Sequence, residues 1–112
     1  MNNSRTLKLT SCLFLLGAAL SYAAPATENW DNHCVKCHGA DGKGQTKVGK
    51  KLSLKDYTDA KVQAELKDDE MIKTTTEGFK DKAGKEKMKA YGAVLTPDEI
   101  KDLVAHIRKF KG

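Results

Sequence analysis

The chain has 112 residues with Lys+Arg 20 against Asp+Glu 15, a net charge of +5, and is 39% hydrophobic and 31% charged. Length alone bounds it to one small domain. Three cysteines, two prolines and seven aromatics exclude a disulfide-dense scaffold, a proline-rich linker protein and a chain too polar to fold.

Arg5 and Lys8 open the chain, the apolar stretch Cys12 to Leu20 follows, and small residues come next. This order predicts a cleavable export signal over 1–23, a mature domain over 24–112 and a periplasmic location. Ser21 and Ala23 fit the small-residue positions before a cut after Ala23, while Ala24-Pro25-Ala26 offers a second such site with a cut after Ala26. A membrane anchor needs roughly 20 apolar residues in a row, about twice this run, so no stable membrane insertion is expected after cleavage. Cys12 stands ahead of its apolar stretch, whereas a lipid-bearing cysteine follows one. Removing 23 of the 112 residues leaves 89, and with Arg5, Lys8 and Cys12 gone the charge falls from +5 to +3 and two cysteines remain.

Those two lie in Cys34-Val35-Lys36-Cys37-His38, a Cys-x-x-Cys-His sequence. In an exported chain this reads as a covalent attachment site for one c-type haem. Two thiols three residues apart on a helical turn can each add across one vinyl group of the porphyrin, and His38 then lies beneath the iron as its proximal ligand. A thioredoxin-like pair would follow a strand-rich pattern, which is missing here. A zinc site lacks a fourth ligand of a familiar set, and a disulfide over so small a loop gains little chain entropy. Gly39, Gly42 and Gly44 follow the motif, where the chain must leave a helix and turn close to a flat cofactor. Neither a dinucleotide nor a P-loop fingerprint fits their order.

Further along, Asp56-Tyr57-Thr58-Asp59 predicts the start of a short helix through Leu66 with Val62 and Leu66 inward. Tyr57 either reaches a haem propionate or packs. Asp68-Asp69-Glu70 marks an acidic helix start, and Met71, Ile72, Thr75 and Phe79 form its inward face. Met71 therefore reads as core. A sixth iron ligand should be a methionine, whose thioether raises the reduction potential toward carrier values. Met88 stands 50 residues after His38 in a loop between two helices and is the candidate. The closing segment is a helix: Thr96 caps it, Pro97 takes its first position and Glu99 completes a capping box. Ile100, Leu103, Val104 and Ile107 recur on one face, and Arg108, Lys109 and Lys111 suit its C-terminus.

Taken together, a helix into Cys-x-x-Cys-His-Gly, a middle helix, a methionine loop and a closing Leu-Thr-x-x-Glu-Ile-x-x-Leu-Val-x-x-Ile helix resemble the small class I cytochromes c over nearly the whole mature chain. The resemblance implies an all-α fold in which the N- and C-terminal helices cross, Trp30 packing against Leu103 and His106. It implies one covalent haem c, bound at Cys34 and Cys37 with iron held by His38 and Met88. The family writes the ligand loop as Met-Pro-x-aromatic, and Met88-Lys89-Ala90-Tyr91 departs from it at Lys89, which makes for a looser methionine bond. Lysine at positions 85, 87 or 89 is then a candidate to displace Met88 at high pH.

The implied function is one-electron transfer between respiratory or other periplasmic redox partners, with no catalytic residue and no enzyme activity. A haem-based gas sensor with a labile Met88 is the alternative. Lys47, Lys50, Lys51, Lys80, Lys82, Lys85, Lys87 and Lys89 sit on two loops expected to surround the haem edge. They suit transient redox partners with acidic docking surfaces. Nucleic acid is excluded as a partner, since no basic stretch interleaved with aromatics exists.

Overall fold

The structure is a computed structural model that describes residues 23–112. Apart from Ala23, the expected export signal lies outside the described residues. Along them run α1 (Ala26–His33), α2 (Val35–His38), α3 (Lys47–Leu52), α4 (Ala60–Glu65), α5 (Asp68–Glu77), β1 (Phe79–Lys80), β2 (Glu86–Met88) and α6 (Pro97–Arg108). The fold is all-α with one short antiparallel hairpin, β1 against β2.

α6 organises the rest. Thr96 Oγ1 accepts from the Glu99 amide and Glu99 reaches back to the Thr96 amide, so the capping box is formed, with Pro97 at the first turn. Ile100, Leu103, Val104 and Ile107 are all buried and meet Trp30, Met71 and Leu95 in one cluster. α6 packs on both α1 and α5. Trp30, 3% exposed, faces His106 at 5.4 Å between ring centroids, and Phe110 stands edge-on to the same imidazole at 5.0 Å. The expected crossing of terminal helices is present, and His106 is a packing residue within it.

Three local features depart from the sequence reading. Lys47, Lys50 and Lys51 lie on the short helix α3, whose six residues are too few for a periodic signal. Phe79, expected on the inward face of α5, is 54% exposed. α5 stops at Glu77 and Gly78 takes φ 78°, so the chain leaves helical phase before Phe79 and enters β1. Met88 lies on β2 and not in an irregular loop.

Arg108 fastens α6 to the α4–α5 junction. Its guanidinium donates to the Gln63 carbonyl at 2.6 Å, to Gln63 Oε1 at 3.0 Å, to the Leu66 carbonyl at 2.8 Å and twice to Asp68 Oδ1. The buried Gln63 amide in turn donates to the Tyr57 and Ile107 carbonyls. Replacing Arg108 with alanine strands several acceptors at once and is expected to cost roughly 2 kcal/mol. A shift in the denaturant midpoint at unchanged slope measures it, and Arg108→Lys should recover little because an ammonium cannot span this fork.

Candidate functional site

Between the Cys-x-x-Cys-His segment, the chain from Leu52 to Tyr57, α5, α6 and the hairpin lies a cavity of about 530 Å³ lined mainly by apolar surface. Cys34, Cys37 and His38 line it, and so does Met88. The four residues picked from sequence thus open onto one space, although the first three and the last come from distant parts of the chain. Trp30, Met71, Leu103 and Ile107 of the core form part of its wall. The second methionine, Met71, is 8% exposed and belongs to the core cluster, the role expected for it.

The backbone of the motif is tied down group by group. The helix breaks at Cys34, whose carbonyl accepts from the His38 amide at 2.9 Å. The Cys37 carbonyl accepts from Thr46 Oγ1 at 2.6 Å, the His38 carbonyl from the Gly44 amide at 2.8 Å and the Gly39 carbonyl from Trp30 Nε1 at 3.0 Å. Thr46 serves twice, since its hydroxyl also accepts from Gly49 and starts α3. Gly49 sits directly over this junction, where a Cβ would meet the Cys37 carbonyl at 2.6 Å. Only glycine lets α3 approach so closely.

His38 is held by rings. Tyr57 stacks on it at 5.3 Å between centroids and 21° between planes, and Trp30 lies tilted at 5.7 Å. The ring of Tyr57 thus packs on the candidate ligand. His38 Nδ1 is buried without a hydrogen-bond partner. Metal-bound imidazoles usually donate that N–H to an acceptor that orients the ring; here the stacked tyrosine does the orienting. Burial disfavours the charged imidazolium and lowers the His38 pKa, which suits Nε2 to act as a ligand atom. Burial, with Cys37 nearby, pushes the Cys34 thiol up to about 11. Cys34 and Cys37 are not joined to each other in a disulfide.

Met88 is held by a hairpin. It pairs with Phe79, and a Cβ on Gly78 would meet the Met88 carbonyl at 2.7 Å. Asp81 ties off the hairpin turn: its Oδ1 accepts from the Ala83 amide at 3.0 Å and the Lys85 amide at 2.9 Å. Its Oδ2 lies 3.8 Å from Lys87 Nζ. Beyond Met88, the Tyr91 and Gly92 amides donate to the Thr75 and Thr76 carbonyls at the end of α5, and Tyr91 Oη donates to the His33 carbonyl. These bonds brace the chain on either side of Lys89, where the family's proline would otherwise stiffen it. Sequence reasoning missed Asp81, although Asp-x-x-Gly between two short strands is a turn signal.

Two thiols, an imidazole and a thioether facing one mainly apolar cavity fit an iron porphyrin attached through its vinyl groups. Among the described residues no group of three or more His, Cys, Asp or Glu side chains is placed to hold a metal ion. The sequence model of the cytochrome c family matches residues 23–111. The chain belongs to the cytochrome c family.

Similarity extends to solved structures. The c-type cytochrome KustC0563 aligns with a TM-score of 0.70 and 34% identity, covering 80% of this chain and all of that one. A point mutant of Kustc0563 aligns with a TM-score of 0.68 and 34% identity over 79% of this chain and all of its own. Among curated proteins none matches. This cytochrome accordingly carries covalently bound haem c with its iron, and its general function is haem-based electron transfer. Cytochromes c are typically exported, and among the described residues no helix is long and apolar enough to cross a membrane.

Proposed function

We propose that this cytochrome is a periplasmic electron carrier whose haem is attached through Cys34 and Cys37 and ligated by His38 and Met88. The carrying observation is that these four side chains converge on one cavity. The haem iron supplies a reversible one-electron couple. His38 is clamped between Tyr57 and Trp30, and Met88 is fixed by its hairpin, so both ligand atoms keep their places when the charge changes. Leu103 and Ile107, both buried, line the cavity and keep water from that side of the iron's surroundings. On this reading the protein acts as a carrier and not as an enzyme.

Lys55, Lys67, Lys87 and Lys89 line the same cavity and Lys80 and Lys82 are exposed beside it. Such a basic rim steers an acidic redox protein to the exposed haem edge and lets it leave again. Glu70 and Asp81 interrupt the rim and limit the strength of the complex.

Two measurements test the reading. Reduced holoprotein mixed with carbon monoxide at neutral pH should resist binding, because Met88 occupies the sixth position; quick stoichiometric binding overturns the carrier reading in favour of a gas sensor. Electron transfer to an acidic partner protein should slow steeply between low and physiological ionic strength, where the screening length shortens to about 8 Å. A rate independent of salt removes the basic rim from the docking account.

A further inference from the structure

Glu99 does more than close the capping box. Its Oε1 accepts from the Thr96 amide at 3.0 Å, as the box requires. Its Oε2 is turned the other way, toward the start of the domain, where it accepts from Asn29 Nδ2 at 2.8 Å and from the Ala24 amide nitrogen at 3.2 Å. Asn29 Nδ2 also donates to the Ala24 carbonyl at 3.3 Å. Glu99 is 8% exposed, and the ion pairs among the described residues are Lys87 with Asp81 and Arg108 with Asp68. A carboxylate this well covered is seldom left without a cation. The nitrogen aimed at it is the one a cut after Ala23 would set free.

We propose that hydrolysis of the Ala23–Ala24 bond creates an α-ammonium on Ala24 that closes an ion pair with Glu99, so that export processing itself locks the start of the domain onto α6. The step consumes one water at a peptidase that reads small-x-small sites. The C–N bond breaks, Ala23 leaves as a carboxylate, and the amine of Ala24 takes up a proton. Before the cut, Ala24 offers Glu99 one neutral N–H. Afterwards it offers a charged group in the same place, and charge-assisted hydrogen bonds are about twice as strong as neutral ones. The geometry also separates the two candidate cleavage sites. A cut after Ala26 would remove Ala24 together with Pro25, whose carbonyl accepts the Asn29 amide at 3.0 Å and begins α1. Only the cut after Ala23 leaves these bonds intact and adds a cation to them.

The test uses mature holoprotein exported with its own signal. Its intact mass should equal the chain from Ala24 plus one haem; a mass beginning at Thr27 overturns the proposal. A second form carries Ser-Gly inserted between Ala23 and Ala24, which keeps the Ala24 N–H and moves the ammonium away. Its folding equilibrium constant should fall about tenfold, the gap between charged and neutral hydrogen bonds. The same insertion in Glu99→Gln, which preserves the capping box, should change it less than twofold. Equal losses in both backgrounds overturn the ion pair. Should Glu99→Gln not accumulate, the α-amine of the wild-type protein is probed with limiting acetic anhydride at neutral pH. It should react at least threefold more slowly than the same amine in the urea-unfolded holoprotein, and equal rates overturn the proposal.

Discussion

Replacing Met88 with alanine is expected to abolish the methionine-to-iron charge-transfer band of the oxidised protein. The reduction potential should fall by on the order of 0.1–0.3 V, a part of the ~0.8 V range that axial ligands span. Histidine–methionine ligation sits high in that range because a thioether favours the reduced metal, and its loss leaves His38 with water or a weaker substitute. The reduced variant should then bind carbon monoxide at once. Met71→Ala is the matched control: Met71 is 8% exposed in the core, so its truncation should cost roughly 2–5 kcal/mol of stability while the band survives. Asp81→Ala should fall between the two, weakening the band without removing it, since Asp81 holds the hairpin turn and not the iron. A Met88→Ala protein that keeps the band and the potential would sink the assignment of Met88.

What was legible in the sequence was whatever a single turn or a single helix encodes. The attachment site is read from five consecutive residues, and α6 from the Thr96-Pro97-Asp98-Glu99 start and the apolar spacing after it. Trp30 against His106 came from the family resemblance and is present. The rest depends on distances between segments that no spacing expresses. Tyr57 stacks on His38 because the turn before α4 folds back onto the motif, its amide donating to the Gly42 carbonyl at 2.9 Å. Met88 was picked for its chemistry, yet the hairpin that fixes it involves strands of two and three residues, too short for any alternation to show. Glu99 was read as one half of a capping box; its other oxygen serves Ala24, 75 residues earlier in the chain. A motif names the groups that act, and the fold decides what holds each of them.

Removing the cofactor should unfold the protein. The double variant Cys34→Ser, Cys37→Ser, which cannot form thioether bonds, is expected to lose near-ultraviolet dichroism and amide protection and to show no cooperative unfolding transition. The cavity explains why. An unfilled space of about 530 Å³ costs up to about 13 kcal/mol at roughly 24 cal/mol per Å³, an upper limit because water enters on the open side. A mature chain of 89 residues has a total stability of only about 4–13 kcal/mol at the usual amount per residue. Its buried apolar residues among those described are Trp30, Met71, Leu95, Ile100, Leu103, Val104 and Ile107, and several of these face the cavity as well as one another. Without the porphyrin they lose one side of their contacts. Free haem added to the double variant should restore the dichroism in part, through His38 and Met88 alone, which distinguishes a missing cofactor from a chain spoiled by serine. Native-like near-ultraviolet dichroism before haem is added would show that the polypeptide core suffices by itself.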